Sequence, residues 1–276
     1  MDCSGAACAV CACREVDRMK MYFKFFSLHL KKRMAYKKSF FLWFFGQFLN
    51  TFAAFASIYF LMSRFESVNG YTIGDCMLCA SIIVMAFSLA EVFFRGFDTF
   101  QIVVREAQFD RILTRPRGLI FQLLCERIEF ERFGKLLQAL IMLIYGITAS
   151  AVVWTPWRIC TLILMVLGGT IVFASLFLLY AAICFFTLDG LEFMNVLTHG
   201  AREFGAYPID VYGRGILKFC TYLVPYALFQ YYPLQYLLGR AASPLYGLLP
   251  LLTPLFTIPC YCLWRYGVKK YKSSGS

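Results

Sequence analysis

The chain has 276 residues, of which 60% are hydrophobic and 18% aromatic, with a mean hydropathy of +0.65 and a formal net charge of +11. Soluble domains carry about 45–50% apolar residues, so this composition excludes an ordinary soluble domain and indicates an all-α integral membrane protein. The basic residues border apolar stretches instead of forming a basic domain of their own. That argues against a nucleic-acid partner and for anionic membrane lipids as the counterpart of the charge.

The first segment, Met1–Arg18, has no apolar core of the kind a signal peptide needs, and it reads as an unstructured leader with Met19 or Met21 as an alternative start. It holds Cys3, Cys8, Cys11 and Cys13. The last three form a C-x-x-C-x-C run, a spacing able to hold zinc or an iron–sulfur cluster. No accompanying fold surrounds it, so neither a metal nor a cofactor is expected. Residues 19–39 follow as an amphipathic interfacial helix: Phe23, Phe26, Leu30 and Met34 recur at helical spacing, while Lys24, Lys31, Lys32, Lys37 and Lys38 lie mostly elsewhere on the circumference. Such a helix lies in the headgroup layer. A plain anchor and a functional elbow fit the pattern equally.

Residues 40–264 form the membrane domain. Crossing about 30 Å of hydrocarbon takes about 20 apolar residues, and six stretches qualify: Phe40–Met62, Cys76–Phe94, Leu136–Val153, Ile159–Leu188, Ile216–Leu238 and Leu245–Trp264. With the N-terminus inside, every Lys and Arg except Arg64, Arg158 and Arg240 faces the cytoplasm. Basic segments resist translocation, so both termini are expected inside, the C-terminal one as a basic tail at 265–276. The fourth span carries no charge and is longer than one perpendicular crossing needs, which predicts tilt or a bend near Gly168-Gly169. Inner loops are expected at Arg95–Lys135 and Asp189–Gly215. Cys76, Cys79 and Cys160 fall near the outer face, with no support for a particular disulfide.

In the first inner loop, Phe97–Leu113 reads as a helix that Arg115-Pro116-Arg117-Gly118 interrupts, because proline lacks a donor and disfavours helix in the residue before it. Pro116 then suits the first turn of a second helix reaching Arg132. Arg105, Gln108, Phe109, Asp110, Arg111, Arg115 and Pro116 thus place mixed charge around an apolar residue beside a fixed corner, a docking surface for another chain.

Catalytic chemistry is not indicated. No P-loop, HExxH or GxSxG run occurs, and the two histidines, His29 and His199, lie outside the expected spans. Glu91, near the inner end of the second span, is expected to reach the interface, and Lys218 to snorkel. Gln47 and Asn50 in the first span, and Gln230, Tyr231, Tyr232 and Gln235 in the fifth, either line a substrate path or bind helix to helix.

Two stretches carry a family resemblance. Phe109-Asp110-Arg111-Ile112-Leu113-Thr114-Arg115-Pro116, followed by Phe121-Gln122-Leu123-Leu124, resembles the loop between spans two and three of ABC-2 type transporter permeases. Tyr207-Pro208-Ile209-Asp210-Val211-Tyr212, then Leu223-Val224-Pro225-Tyr226-Ala227 and Tyr231-Tyr232-Pro233, is similar to the family's second signature. The resemblance runs from about Lys20 to the C-terminus. It implies a non-catalytic permease subunit of an ATP-binding cassette exporter in the cell membrane. A second permease chain, the same or related, would complete the path for an unknown transported substrate, and separate ATP-binding subunits would drive it. The helix ending near Arg115 would be the coupling helix, with Phe109 inserted into the ATPase. A secondary transporter, which needs an internal repeat and mid-membrane coupling groups, and a non-transport membrane scaffold are the alternative readings.

Overall fold

A computed structural model describes residues 21–22, 24–64, 69–150, 152–187, 192–241 and 243–271. The cysteine-bearing leader and Phe23 of the amphipathic stripe lie outside the described residues. Within them, five helical stretches are long and apolar enough to cross a bilayer: Lys37–Ser63, Ile73–Arg105, Phe130–Ala149, Pro156–Ile183 and Pro244–Lys270. They coincide with the expected spans one to four and six, and the fold is all-helical.

Helix α1 (24–34) precedes α2 (Lys37–Ser63), which leaves most of its surface uncovered. Helix α3 (Ile73–Asp98) is the central rod. Its start is fixed by a capping box, in which Thr72 Oγ1 accepts from the Asp75 N–H and Asp75 Oδ2 accepts from the Thr72 N–H. Helices α7 (Phe133–Ala149) and α8 (Pro156–Ile183) flank it. Gly146 of α7 lies against the backbone of Leu78, where a Cβ would sit 2.8 Å from the Leu78 nitrogen. In the fourth span, where tilt or a bend is expected, α8 runs as one uninterrupted helix through Gly168 and Gly169. These glycines are packing notches, one facing Pro250 and Thr253 and the other facing Phe229 and Ala86. The last crossing begins as a 3-10 stretch, Pro244–Phe256, containing Pro250 and Pro254, and continues as α14 (Thr257–Lys270).

The expected fifth span and second inner loop are both corrected. Ile216–Leu238 is three short helices, α11 (Arg214–Tyr222), α12 (Tyr226–Phe229) and α13 (Tyr231–Leu237), broken around Pro225. Asp189–Gly215 is not a loop at one face. Within it, α9 (Glu192–Asn195), a π-helical turn (Val196–Gly200) and α10 (Ala201–Phe204) climb alongside α3.

Successive partners in α3 measure the climb. The His199 ring is 5.1 Å from Phe87, the Cys79 thiol donates to the Gly205 carbonyl, and Asp210 accepts from the Tyr71 hydroxyl at 2.9 Å. Tyr71 and Asp210 therefore share the end of the bundle where α3 begins. The α11–α13 segment dips and returns: Tyr226 bonds the Leu197 carbonyl, Gln230 bonds that of Gly205, Gln235 bonds Tyr71, and Arg240 reaches the Gly70 carbonyl at 2.6 Å. Arg214 and Arg240 thus bracket a hairpin that starts and ends at the Tyr71 end. Polar residues hid the climbing segment and apolar ones disguised the hairpin as a span.

Candidate functional sites: an inner docking surface and a polar groove

At the other end of α3, the helix expected over Phe97–Leu113 is divided. Helix α4 (Phe100–Arg105) ends where Ala107 takes a left-handed conformation (φ 53°), and α5 (Gln108–Leu113) starts after it. Phe109 is fully buried. Its ring packs against Phe100, Phe185 and Tyr271 at centroid distances of 5.2, 5.3 and 4.9 Å. As an anchor inserted into another protein Phe109 is overturned, because its own chain already covers it. Sequence alone cannot distinguish an apolar residue that packs inward from one that packs on a partner. What remains outside is the charged rim of Arg105, Glu106, Arg111, Arg115 and Arg117, together with Pro116. Gln108 and Asp110 are half-buried.

The second helix is also shorter than expected, α6 (Leu119–Glu126), and gives way to an extended Arg127–Glu129 strap before the 3-10 turn Phe130–Arg132. One residue missed as functional is Gln122. Its Nε2 donates to the carbonyls of Ile112 (3.2 Å) and Arg117 (2.9 Å), bracing the proline corner from inside. Its only sequence signal was its place in the Phe121–Leu124 motif.

Beneath the strap lies a buried charge cluster. Glu91 is completely buried and does not reach the interface, contrary to expectation. Lys135 donates to it at 2.9 Å, with Arg132 at 3.3 Å and Arg95 at 3.6 Å. Arg132 also bonds Glu129 at 2.9 Å and approaches Gln47 Oε1 at 3.4 Å. Burial alone would raise the Glu129 carboxyl, but Arg95 and Arg132 outweigh it and hold the group below its ordinary value. Helix α1 docks on either side of the strap, through Phe26 on Phe130 (4.7 Å) and Arg33 to Glu131 (2.9 Å) of the 3-10 turn and His29 to the Cys125 carbonyl (3.0 Å) of α6. Its stripe of Phe26, Leu30 and Met34 is half-buried, and Lys24, Lys31 and Lys32 are exposed.

The six candidate path residues do not converge. Gln47 belongs to the Arg132 corner. Asn50 is exposed in a groove of about 550 Å³ between α2, α3 and α10, which Ser57, Arg202, Glu203 and Tyr207 also line. Gln230 is buried, holding the Gly205 carbonyl and the Cys79 sulfur. Gln235 donates to Tyr71, whose phenol is raised well above its ordinary value by burial and by Asp210, so it remains a donor. Tyr231 packs on Tyr232 (5.2 Å), and Tyr232 on Tyr246 (5.4 Å). Asn50 alone faces an open polar route, and most of the others join helix to helix.

The span pattern, the proline corner and the hairpin have a common source. Residues 48–275 match the profile of ABC-2 family transporter proteins. The chain belongs to the ABC-2 transporter family. No curated protein and no solved structure matches it significantly. Membership makes the molecule a multi-pass membrane permease with a role in transport, in a family that generally works with an ATP-binding subunit.

Proposed function

We propose that this ABC-2 permease is the membrane half of an ATP-driven exporter in the cell membrane, with the Arg105–Arg117 rim facing the cytoplasm as the seat of a separate ATPase. One observation carries the reading. The exposed rim stands on Phe109 and Ile112, both buried among residues of the spans, so force applied at the surface reaches the bundle without a flexible link. Stiff elements of this kind convert a partner's motion into rigid-body rocking. Both termini lie inside, and the exposed lysines of α1 rest among anionic headgroups. A second permease chain covers the uncovered face of α2 and closes the Asn50 groove into the substrate path.

The reading as a secondary transporter draws on Glu91, a buried carboxylate of the kind that relays protons. Three cations already surround it, which favours a structural role. A non-transport scaffold leaves the polar groove without a purpose. The test is copurification of the ATPase with the tagged permease. Reversing Arg111→Glu and Arg115→Glu should slow association and reduce recovered ATPase, most strongly at low salt, since rim charges act mainly on encounter and register. Phe109→Ala should lower thermal stability by about 3–5 kcal/mol, the usual cost of emptying a buried phenylalanine site. Full ATPase recovery with both arginines reversed would sink the docking assignment.

A further inference from the structure

The climbing segment and the hairpin do not close on one another. Between them lies a cavity of about 300 Å³, bounded by Leu197 and Tyr226 at one end and by Ile209 and Tyr212 at the other. Four of its lining residues, Val196, Phe204, Ile216 and Phe219, are exposed and mark its mouth. The volume is at the lower end of the ~300–1,000 Å³ range of small-molecule pockets, room for one slender chain.

Besides the tyrosines Tyr212 and Tyr226 and the thiol of Cys220, one amide side chain, Gln230, lines this largely apolar space. Gln230 is 1% exposed. The Gly205 carbonyl can only accept, so the Gln230 amide nitrogen faces it, and that fixes which way round the amide lies. The amide oxygen, Oε1, is buried and has no hydrogen-bond partner. A buried acceptor left unpaired costs about 1–3 kcal/mol, and in hydrocarbon no water is at hand to repair it. The Leu197 carbonyl of the π-helical turn is already taken, by the Tyr226 hydroxyl. Among the residues lining the cavity, Gln230 is therefore the one whose buried side-chain acceptor is left without a partner.

We propose that this cavity binds a single hydrocarbon chain carrying a hydrogen-bond donor, a hydroxyl or an amide N–H, which reaches Gln230 Oε1 from the lipid side. The exposed Val196, Phe204, Ile216 and Phe219 at the mouth give such a chain its way in. Both a resident bilayer lipid and a transported amphiphile possess this chemistry. The site itself depends only on the membrane placement of the chain, not on its being an exporter.

The experiment uses the full chain in nanodiscs and a photoreactive alkyl alcohol, with dodecanol and dodecyl methyl ether as competitors. Dodecanol should compete about 5- to 10-fold better than the ether, which cannot donate, the factor expected of one net hydrogen bond. Gln230→Leu should erase that preference while retaining alkyl binding. Ile216→Trp, on the exposed face of α11, should block labelling altogether by filling the mouth, and it keeps the test intact if Gln230→Leu does not fold. Equal competition by alcohol and ether on the wild-type chain, or labelling that falls outside Val196–Gln230, overturns the site. ATP hydrolysis by the native complex then separates the sources: acceleration by dodecanol marks the chain as cargo, and unchanged turnover marks it as resident lipid, the site standing in either case.

Discussion

Glu91 shows how one residue can tie elements together that hydropathy treats separately. Its carboxylate sits in the central helix with Lys135, Arg132 and Arg95 around it, joining α3, α7 and the 3-10 turn before α7. Removing one member of a buried ion pair strands the other, at a cost of about 3–5 kcal/mol, whereas removing both is often close to neutral. Glu91→Gln should therefore destabilise the detergent-solubilised protein by that amount, and adding Lys135→Met should recover more than half of it. Additive losses in thermal unfolding would mean that the two residues are not energetically paired.

At this scale the sequence was a partial guide. It marked Glu91 and Phe109 as unusual, but both side chains point inward. Burial depends on what folds over a residue, which neighbouring residues in the chain do not reveal.

Among elements, the contact between α3 and α6 is the tightest in the inner region. A Cβ on Gly96 would fall 2.1 Å from the Leu123 carbonyl oxygen, a backbone atom with no freedom to yield. Only glycine permits this approach, and through it the docking corner is held to the central rod. Gly96→Ala should push α6 outward while leaving the crossings in place. The expected readout is faster tryptic cleavage after Arg117 in inside-out vesicles, with less ATPase recovered. Unchanged cleavage would show that α6 is held elsewhere.

Elements were legible where their periodicity and polarity agreed. Helices α2, α3, α7 and α8 are long and apolar, and hydropathy alone places them to within a few residues. The climbing segment was not legible, because Asn195, His199, Arg202 and Glu203 give it the composition of a loop. Its polar groups are tolerated because they face the Asn50 groove or neighbouring helices instead of lipid.

For the whole molecule, the ladder of contacts from His199 to Asp210 redraws which residues share a face. Arg214 and Lys218, expected inside, belong to the hairpin anchored at the Tyr71 end of the bundle, with Asn69, Pro156 and Ser243, the end that the proposed orientation puts outside. In a background without other cysteines, Arg214→Cys, Asn69→Cys and Ser243→Cys should react with an impermeant maleimide from outside. Thr114→Cys should react only after permeabilisation. Protection of Arg214→Cys in intact cells would return the 189–215 segment to the cytoplasm and refute the hairpin. The charge asymmetry still orients the chain after this revision, since the dense basic clusters at the N-terminus, the docking corner and the C-terminal tail stay on one side.

The buried ion pair also sets a schedule for biogenesis. Lys135 follows Glu91 by 44 residues, so at synthesis rates of about 5–20 residues per second the carboxylate waits roughly 2–9 s for its partner. During that interval the acid has only Arg95, 3.6 Å away on its own helix, as a counter-charge in a setting that bilayer hydrocarbon disfavours. In a nascent chain arrested after Glu126, a cysteine placed in the middle of α3 should stay open to an impermeant maleimide, and Glu91→Leu should protect it. Equal labelling of both arrested chains would dissociate insertion from pairing. The second and third crossings then enter the bilayer as one unit, and the order of translation becomes part of how this permease reaches its fold.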